Sequence, residues 1–285
     1  MKIVVGTANF NQKYGISKIK IKNSKEISNI LNFLKKNKIR YIDTAHSYKF
    51  SRKFVSKFDF KNFRIITKIQ LPKKGQNLFL KNLEKKIKDD LHNFNIKQFE
   101  TILLHNIYDI NQKYGVQFLQ KFFELKKKKF TKNIGISIYD PKDFDFIIKR
   151  FRPDVVQFPL NIFDQRFLDG KFLQKLKKKN IKSQVRSIFL QGIISNIKKS
   201  ETFLKKTKLK HHIKILETWC KKNNISLNEA CIFFIKKQKN INFVTIGIDN
   251  LNQLKQNLAI LKKNKSLNLF NFAIKNKDII DPRKW

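Results

Sequence analysis

The chain has 285 residues, of which 41% are hydrophobic and 13% aromatic, enough apolar volume for a large packed core, so a disordered chain is excluded. Its 63 Lys and Arg against 21 Asp and Glu give a net charge of +42, a balance that ordinarily suggests a polyanionic partner. The two cysteines, Cys220 and Cys231, cannot build a disulfide framework, and we expect reduced thiols in the cytoplasm.

Short β-branched runs recur along the chain and predict eight strands. They cover residues 2–7, 40–45, 64–69, 101–106, 133–138, 154–159, 182–189 and 242–248. The central runs are continuously apolar, as expected for parallel strands that are covered on both faces.

Segments with apolar residues at three- and four-residue spacing lie between these runs and predict amphipathic helices. They cover residues 25–37, 78–94, 116–130 and 251–264, with two further helices over about 203–223 and 226–238. Alternating strands and helices favour an α/β fold, a (β/α)8 TIM barrel with an extra helix between strands 7 and 8. A doubly wound sheet is the second choice. We expect one domain over residues 1–285.

The surplus positive charge is nearly all lysine, since the chain contains only eight arginines. Arg is the side chain of bidentate base and phosphate recognition, so dispersed Lys predicts solvated helix faces and no specific nucleic-acid partner. The sequence has no signal-peptide-like apolar segment and no run of 18 apolar residues. We therefore expect a cytoplasmic monomer or homodimer without a membrane partner.

Four polar residues stand at or just after the predicted ends of strands two, three and four: Asp43, Tyr48, Lys68 and His105. The carboxyl ends of barrel strands meet at one mouth of a TIM barrel, where catalytic side chains are found. Taken singly, each residue fits a structural role, such as a loop cap or a core histidine. Together they predict an active site.

This combination of side chains suits proton transfer to a carbonyl oxygen during hydride transfer. Tyr48 would be the general acid, and the Lys68 ammonium would lower its pKa from the free value of about 10. Asp43 would keep Lys68 protonated and oriented, and His105 would hydrogen-bond the substrate oxygen. A Schiff-base enzyme with Lys68 as nucleophile is an alternative that Asp43 disfavours, because it would keep the amine protonated.

Motifs over nearly the whole chain resemble the aldo/keto reductase family. They are GTANF (6–10), YGI (14–16), YIDTAHSYKFSRKF (41–54), ITK (66–68), LLH (103–105), GIS (135–137), VVQFPLNIFDQR (155–166), VRSIFLQGII (185–194) and TIGIDNLNQLKQNL (245–258). FPLNIFDQR, RSIFLQG and the closing DPRKW resemble a subgroup linked to sugar or surface-polysaccharide metabolism, an analogy that says little about the substrate. The resemblance implies an NAD(P)H-dependent reductase of a small aldehyde or ketone, with Asp43, Tyr48, Lys68 and His105 as its catalytic tetrad.

The resemblance also implies which residues bind the cofactor. It assigns Ser137 and Gln157 to the nicotinamide carboxamide, and the stretch from Arg186 through Ser187 to Gly192 to a wall of the cofactor groove. Around the start of the last barrel helix it adds Gly247, Asn250, Gln253 and Asn257.

The sequence departs from the family pattern at several positions near these motifs. Ile138 replaces a common Asn, and residues 186–188 replace an aromatic residue that stacks on nicotinamide, although an Arg plane can also stack. Lys49 and Arg52 stand where many members have Gly and Glu.

Gln253 falls where many family members grip the adenosine 2′-phosphate with an Arg, and Asp249 adds a negative charge nearby. Both changes weaken selectivity for the 2′-phosphate, whereas surplus lysines such as Lys255 restore attraction. The helix N-terminus at Asn250 still offers backbone donors to an anion. We expect the protein to use NADPH or NADH, with a modest preference for NADPH.

Other cofactors find little support in the sequence. The eight glycines form neither a G-x-G-x-x-G nor a Walker loop, and the five histidines lack metal-ligand spacing, so we expect no metal site. Two alternatives from other functional classes stay open: a nucleotide-binding barrel that senses redox state without turnover, and a polyanion-binding basic protein.

Overall fold

A computed structural model of the protein describes residues 1–10, 12–13, 15–16, 21, 23–48, 55–265 and 272–285. Within these residues, eight parallel strands pair in chain order, and β8 pairs with β1 to close a barrel. The strands are β1 Lys2–Gly6, β2 Tyr41–Asp43, β3 Arg64–Ile69, β4 Phe99–Leu104, β5 Thr131–Ser137, β6 Val155–Pro159, β7 Lys182–Arg186 and β8 Phe243–Gly247. The predicted TIM barrel is confirmed. The sequence departures at Lys49 and Arg52 lie outside the described residues.

Helices follow the strands around the barrel. They are α1 Ser24–Lys36, α2 Gln76–Phe94, α3 Gly115–Lys127, α4 Pro141–Ile148, α5 Phe172–Lys178, α6 Glu201–Lys205, α7 Leu209–Lys222, α8 Leu227–Lys237, α9 Leu251–Lys262 and α10 Lys277–Ile280. Helices α6, α7 and α8 all lie between β7 and β8, which confirms the predicted insertion there. No helix of the described residues is long and apolar enough to cross a membrane.

The structure corrects three element predictions. The strand predicted over 182–189 ends at Arg186, because Ser187 adopts a left-handed φ of 60° that cannot continue a strand. The helix predicted over 203–223 is broken between α6 and α7, where the Thr207 hydroxyl bonds to the Leu204 carbonyl at 3.4 Å and competes with the helical backbone. Helix α4 is absent from the predicted elements, although the capping box of Asp140 and Asp143 begins it.

The side chains on the two faces of the strands form two apolar clusters. Strand residues that point outward pack under the helices in the main core, for example Val5, Ile42 and Ile65. Inward-facing residues form a second apolar cluster within the barrel: Val4, Tyr41, Ile66, Leu103, Val155 and Phe243. Because side chains alternate along a strand, the residues two positions further on face the same interior. The inward positions after this cluster therefore form the floor of the barrel mouth.

Gly15 lets the segment after β1 pack against the loop that follows β7. Its φ is 68°, and a Cβ at this position would lie 2.6 Å from the Gln191 carbonyl oxygen. Any side chain here would strain the backbone and also displace the loop.

We expect Gly15→Ala to destabilise the protein by about 1 to 3 kcal/mol, because it adds steric overlap to the cost of a left-handed Ala. Gly170→Ala is the matched control, since Gly170 has a φ of 61° and a Cβ added there would meet no heavy atom of the described residues within 4 Å. Urea unfolding of both variants measures the difference. Equal losses would show that the approach to Gln191 has no energetic effect.

Candidate active site

The four predicted catalytic residues line one cleft at the barrel mouth, which has about 1000 Å³ of empty volume including its opening to solvent. Their arrangement follows from strand register. Asp43 and Lys68 lie two residues after the inward-facing Tyr41 and Ile66, and His105 lies two residues after Leu103. Polar side chains thus replace the apolar layer where the barrel opens.

The Asp43 carboxylate is the centre of a buried polar network. It is 4% exposed, and its two oxygens accept hydrogen bonds from side chains of three other strands. The Lys68 ammonium donates to Oδ1, while the amides of Gln157 and Gln184 donate to Oδ2 at 2.7 and 3.0 Å. The Gln184 amide nitrogen also donates to Thr245 Oγ1 at 2.9 Å. The network therefore joins β2, β3, β6, β7 and β8.

Lys68 is 2% exposed, so its ammonium depends on these partners. Besides Asp43 it donates to the Thr44 carbonyl at 2.9 Å. Two oxygens thus orient the ammonium, and the carboxylate balances its charge. The role expected of Asp43 toward Lys68 stays a prediction.

Tyr48 is positioned by a loop that prolongs the pairing of β2 with β3. Backbone N–H groups of Thr44 and His46 donate to the carbonyls of Ile66 and Lys68 at 2.8 and 3.0 Å. A turn closed by the Tyr48 N–H on the Ala45 carbonyl, at 3.0 Å, then brings the phenol to the cleft.

The expectation that Lys68 lowers the pKa of Tyr48 is wrong. Burial, and next the charge of Asp43, raise the pKa of Tyr48 well above its ordinary value, while the charge of Arg186 acts in the opposite direction. The Lys68 ammonium lies 5.5 Å from the centre of the Tyr48 ring, but its charge is neutralised by Asp43. The phenol therefore keeps its proton throughout the physiological pH range.

His105 follows β4 directly and lines the same cleft. Burial, together with the positive charges of Lys68 and Arg186, lowers the pKa of His105 to about 3. Its Nδ1 lies 3.5 Å from the Ser47 hydroxyl, at the limit of a hydrogen bond. The imidazole is therefore neutral at physiological pH, and a neutral imidazole has one N–H to donate.

Most residues predicted to bind the cofactor line this cleft too. They are Ser137, Gln157, Arg186, Ser187, Gly192, Gly247 and Gln253. The buried Ser137 hydroxyl donates to the Gln157 amide oxygen at 3.3 Å, so the two residues form a polar pair between β5 and β6.

The loop after β7 has an unusual backbone. Ser187, Leu190 and Gln191 have φ values of 60°, 48° and 54°, and Gly192 has a φ of 85°. Left-handed conformations of residues other than Gly are costly and concentrate at binding sites. The wall predicted from Arg186 to Gly192 is thus a tightly turned loop on the cleft.

Two predicted cofactor residues do not line the cleft within the described part of the chain. Asn250 caps helix α9 by accepting a hydrogen bond from the Gln253 N–H at 2.8 Å. Asn257 lies one turn beyond Gln253 and is fully buried, and both polar atoms of its side chain have no hydrogen-bond partner among the described residues.

Sequence reasoning missed several members of the site. Gln184 and Thr245 complete the Asp43 network, while Asn9, Tyr139 and Asn196 line the cleft. The alternation of inward- and outward-facing side chains could have pointed to Thr245, which lies two residues after Phe243. For Gln184 no local signal exists, because a strand Gln that binds a carboxylate looks the same in sequence as one that faces solvent.

The buried ion pair can be tested by comparing single and double variants. We expect Lys68→Met to destabilise the protein by about 3 to 5 kcal/mol, because it leaves the Asp43 charge buried with amide donors alone. The double variant Asp43→Asn with Lys68→Met removes both charges and should recover much of this loss. Urea unfolding of the three proteins measures it. An equal loss in both variants would contradict the dependence of Asp43 on the Lys68 charge.

The fold resembles several solved structures at low sequence identity. A glycerol dehydrogenase from Gluconobacter oxydans gives a TM-score of 0.69 at 14% identity, over 93% of this chain and 88% of the other. An aldo-keto reductase from Bacillus halodurans, in its holo form, gives 0.67 at 16%, over 90% and 88%. An aldo-keto reductase of the silkworm Bombyx mori gives 0.63 at 15%, over 93% and 80%. These likenesses show the fold.

A search of curated proteins gives no match. The family model for the aldo/keto reductase family, in contrast, matches residues 2–270. Because this match spans nearly the whole chain, the protein belongs to the aldo/keto reductase family of NAD(P)H-dependent oxidoreductases.

Proposed function

We propose that this protein reduces an aldehyde or ketone to an alcohol with NAD(P)H, and that Tyr48 is the proton donor. One observation carries the proposal: Asp43, Tyr48, Lys68 and His105 lie at or after the ends of three successive strands and line one cleft, with the charges of Asp43 and Lys68 mutually balanced. A sugar-type carbonyl is one substrate compatible with the subgroup that the sequence resembles.

The cleft offers a polar donor set that fits a nicotinamide nucleotide. The Ser195 hydroxyl lines the cleft, and its oxygen is buried without a partner among the described residues. Unpaired buried polar atoms are costly, so a polar ligand that reaches the Ser195 hydroxyl would be stabilised. The Asn257 amide is also unpartnered among the described residues, but it does not line the cleft.

We assign parts of the nucleotide to groups of residues. Ser137 and Gln157 would hold the carboxamide, and the stretch from Arg186 to Gly192 would form the wall beside the nicotinamide. Gly247, Asn250, Gln253 and Asn257 would surround the adenosine end, where the N-terminus of α9 favours an anion. When bound, NAD(P)H supplies the hydride.

Proton transfer then depends on the chain's own residues. The neutral His105 would donate a hydrogen bond to the substrate carbonyl oxygen and orient it. Tyr48 holds its proton through the physiological range and would pass it to the oxygen as negative charge develops there. The positive charge of Arg186, which lowers the pKa of Tyr48, would favour the phenolate that results.

We further propose that residues 1–285 act as one cytoplasmic barrel domain, as a monomer or homodimer. The closed strand order supports a single barrel domain, and the two buried free cysteines fit a reducing compartment.

The general acid is tested by Tyr48→Phe. We expect turnover of aldehydes with NADPH to fall by about 10² to 10⁴, because the proton donor is lost, while NADPH affinity changes by no more than a few-fold. Tyr108→Phe is the matched control: Tyr108 is 49% exposed and bonds to Asp143, away from the cleft lining.

Consumption of NADPH, followed by its absorbance over a panel of aldehydes, measures the effect of each substitution. Retained turnover in Tyr48→Phe would remove Tyr48 from the mechanism. Tight NADPH binding without turnover in the unaltered protein would favour the redox-sensing alternative.

The choice between NADPH and NADH depends on the Asp249 carboxylate, which hydrogen bonds fix in position. Its carboxylate accepts hydrogen bonds from Asn9 at 3.1 Å, Asn196 at 2.8 Å and Gln253 at 3.3 Å, and it lines the cleft. A fixed carboxylate opposes a 2′-phosphate, while the positive surface charge attracts it without defined geometry. We propose dual use, with a modest preference for NADPH.

This preference should shrink as salt rises, because attraction to dispersed lysines is screened. Dissociation constants for NADPH and NADH at low and high ionic strength measure it. A preference for NADPH above about 100-fold that persists in high salt, about 2.7 kcal/mol, would show a dedicated phosphate site and contradict the proposal.

Gln253→Arg should raise the preference for NADPH over NADH by about tenfold or more, whereas Asn252→Arg, an exposed control of equal charge, should not.

A further inference from the structure

The half-buried guanidinium of Arg186 carries an unbalanced charge next to the catalytic residues. It ends β7 and lines the cleft together with Tyr48 and His105. Its positive charge lowers the pKa of both groups, so it lies close enough to act on them electrostatically. Lys68, the other cation there, is balanced by Asp43.

The partners of Arg186 are neutral. Its Nη1 donates to the Ser187 hydroxyl and its Nη2 to the Ile138 carbonyl, both at 3.3 Å. Within the described residues no carboxylate lies within 4.0 Å of its guanidinium. A guanidinium has five N–H donors, so three of them have no hydrogen-bond partner among the described residues.

Stacking fixes the orientation of this guanidinium. Its central carbon lies 4.2 Å from the centre of the Tyr139 ring, and the guanidinium of Arg283 lies over the same ring at 4.2 Å. Arg283 pairs with the buried Asp281 at 2.6 Å, and Asp281 also accepts from Arg166 at 3.2 Å. The C-terminal segment therefore holds Tyr139 as a platform, and of the two stacked cations only Arg186 lacks a carboxylate partner among the described residues.

We propose that Arg186 binds an anionic group of the substrate, so that the natural substrate is an aldehyde or ketone that also bears a carboxylate or a phosphate. This inference rests on the proposed carbonyl reduction. An oriented guanidinium with free donors matches the planar oxygens of these groups and forms bidentate contacts with them. The partial burial of Arg186 strengthens such a contact, because water competes less for the charge.

The proposed contact is separate from the role of Arg186 in the cofactor wall. A guanidinium stacks through its face and donates hydrogen bonds from its edge. A nicotinamide ring would meet the face, whereas the substrate anion would meet the free edge donors. A ratio between anionic and neutral substrates isolates the second contact, since any effect on the cofactor cancels in that ratio.

The test compares three aldehydes of similar shape: 4-formylbenzoate, 4-formylphenyl phosphate and the neutral 4-formylbenzamide. We expect the unaltered protein to prefer at least one anionic aldehyde over the amide by about 10- to 100-fold in kcat/KM. Comparing the benzoate with the phosphate distinguishes the two anions. Arg186→Met should abolish the preference, and Arg186→Lys should retain part of it, because Lys keeps the charge without the planar fork.

Arg150→Met is the matched control for net charge. Arg150 is exposed, stacks on Phe146 and does not line the cleft, so its substitution should leave the preference unchanged. A preference near one in the unaltered protein, or one that survives in Arg186→Met, would overturn the inference. Turnover of 4-formylbenzamide in the same assay would show that the proposed carbonyl reduction stands regardless.

If none of the three aldehydes is turned over, that result counts against the proposed function itself. Calorimetry with benzoate then tests whether Arg186 binds an anion. Affinity for benzoate that exceeds affinity for benzamide, and that Arg186→Met lowers by about tenfold or more, would support an anion site. Equal binding of benzoate by both proteins, or none by either, would overturn it. A further outcome would also overturn the inference: Arg186→Met raises the NADPH dissociation constant but leaves the ratio of kcat/KM between anionic and neutral aldehydes unchanged. Arg186 would then bind the cofactor alone.

Discussion

The buried carboxylate of Asp43 is the constraint on which the site depends. A charge that is 4% exposed is tolerated only when its oxygens are hydrogen-bonded, and here the donors come from Lys68, Gln157 and Gln184 on three different strands. Gln184 also donates a hydrogen bond to Thr245, which connects the network to β8. The network therefore links the ends of β2, β3, β6, β7 and β8 and positions Asp43 and Lys68 in the cleft.

Charge is distributed unequally over the cleft that this network supports. Asp43 and Lys68 balance each other at the floor, while Asp249 is bound by the amides of Asn9, Asn196 and Gln253 near the start of α9. The Arg186 charge is met by neutral groups and a ring. The cleft thus combines a charge-balanced floor, a negative group at one side and a positive group at the end of β7.

Burial strengthens the interactions between these charges, and it also sets the protonation states of Tyr48 and His105. Tyr48 stays a phenol and His105 stays neutral because both are withdrawn from water beside fixed charges. The acid and the hydrogen-bond donor of the proposed reaction are therefore available over the whole physiological range. Helix faces rich in Lys lie outside this enclosed region, which separates the large surface charge from the chemistry.

The sequence by itself determined the alternation of strands and helices and pointed to the four polar residues that line the cleft, because hydrophobic period and position at a strand end are local properties. It could not determine which groups meet. Gln184 binds Asp43 across 141 residues, and the break after α6 and the left-handed loop after Arg186 arise from local contacts that periodicity does not encode. The direction of the Tyr48 pKa and the unbalanced Arg186 were decided only by the tertiary structure, since burial and charge pairing depend on distances through space between segments far apart in the chain.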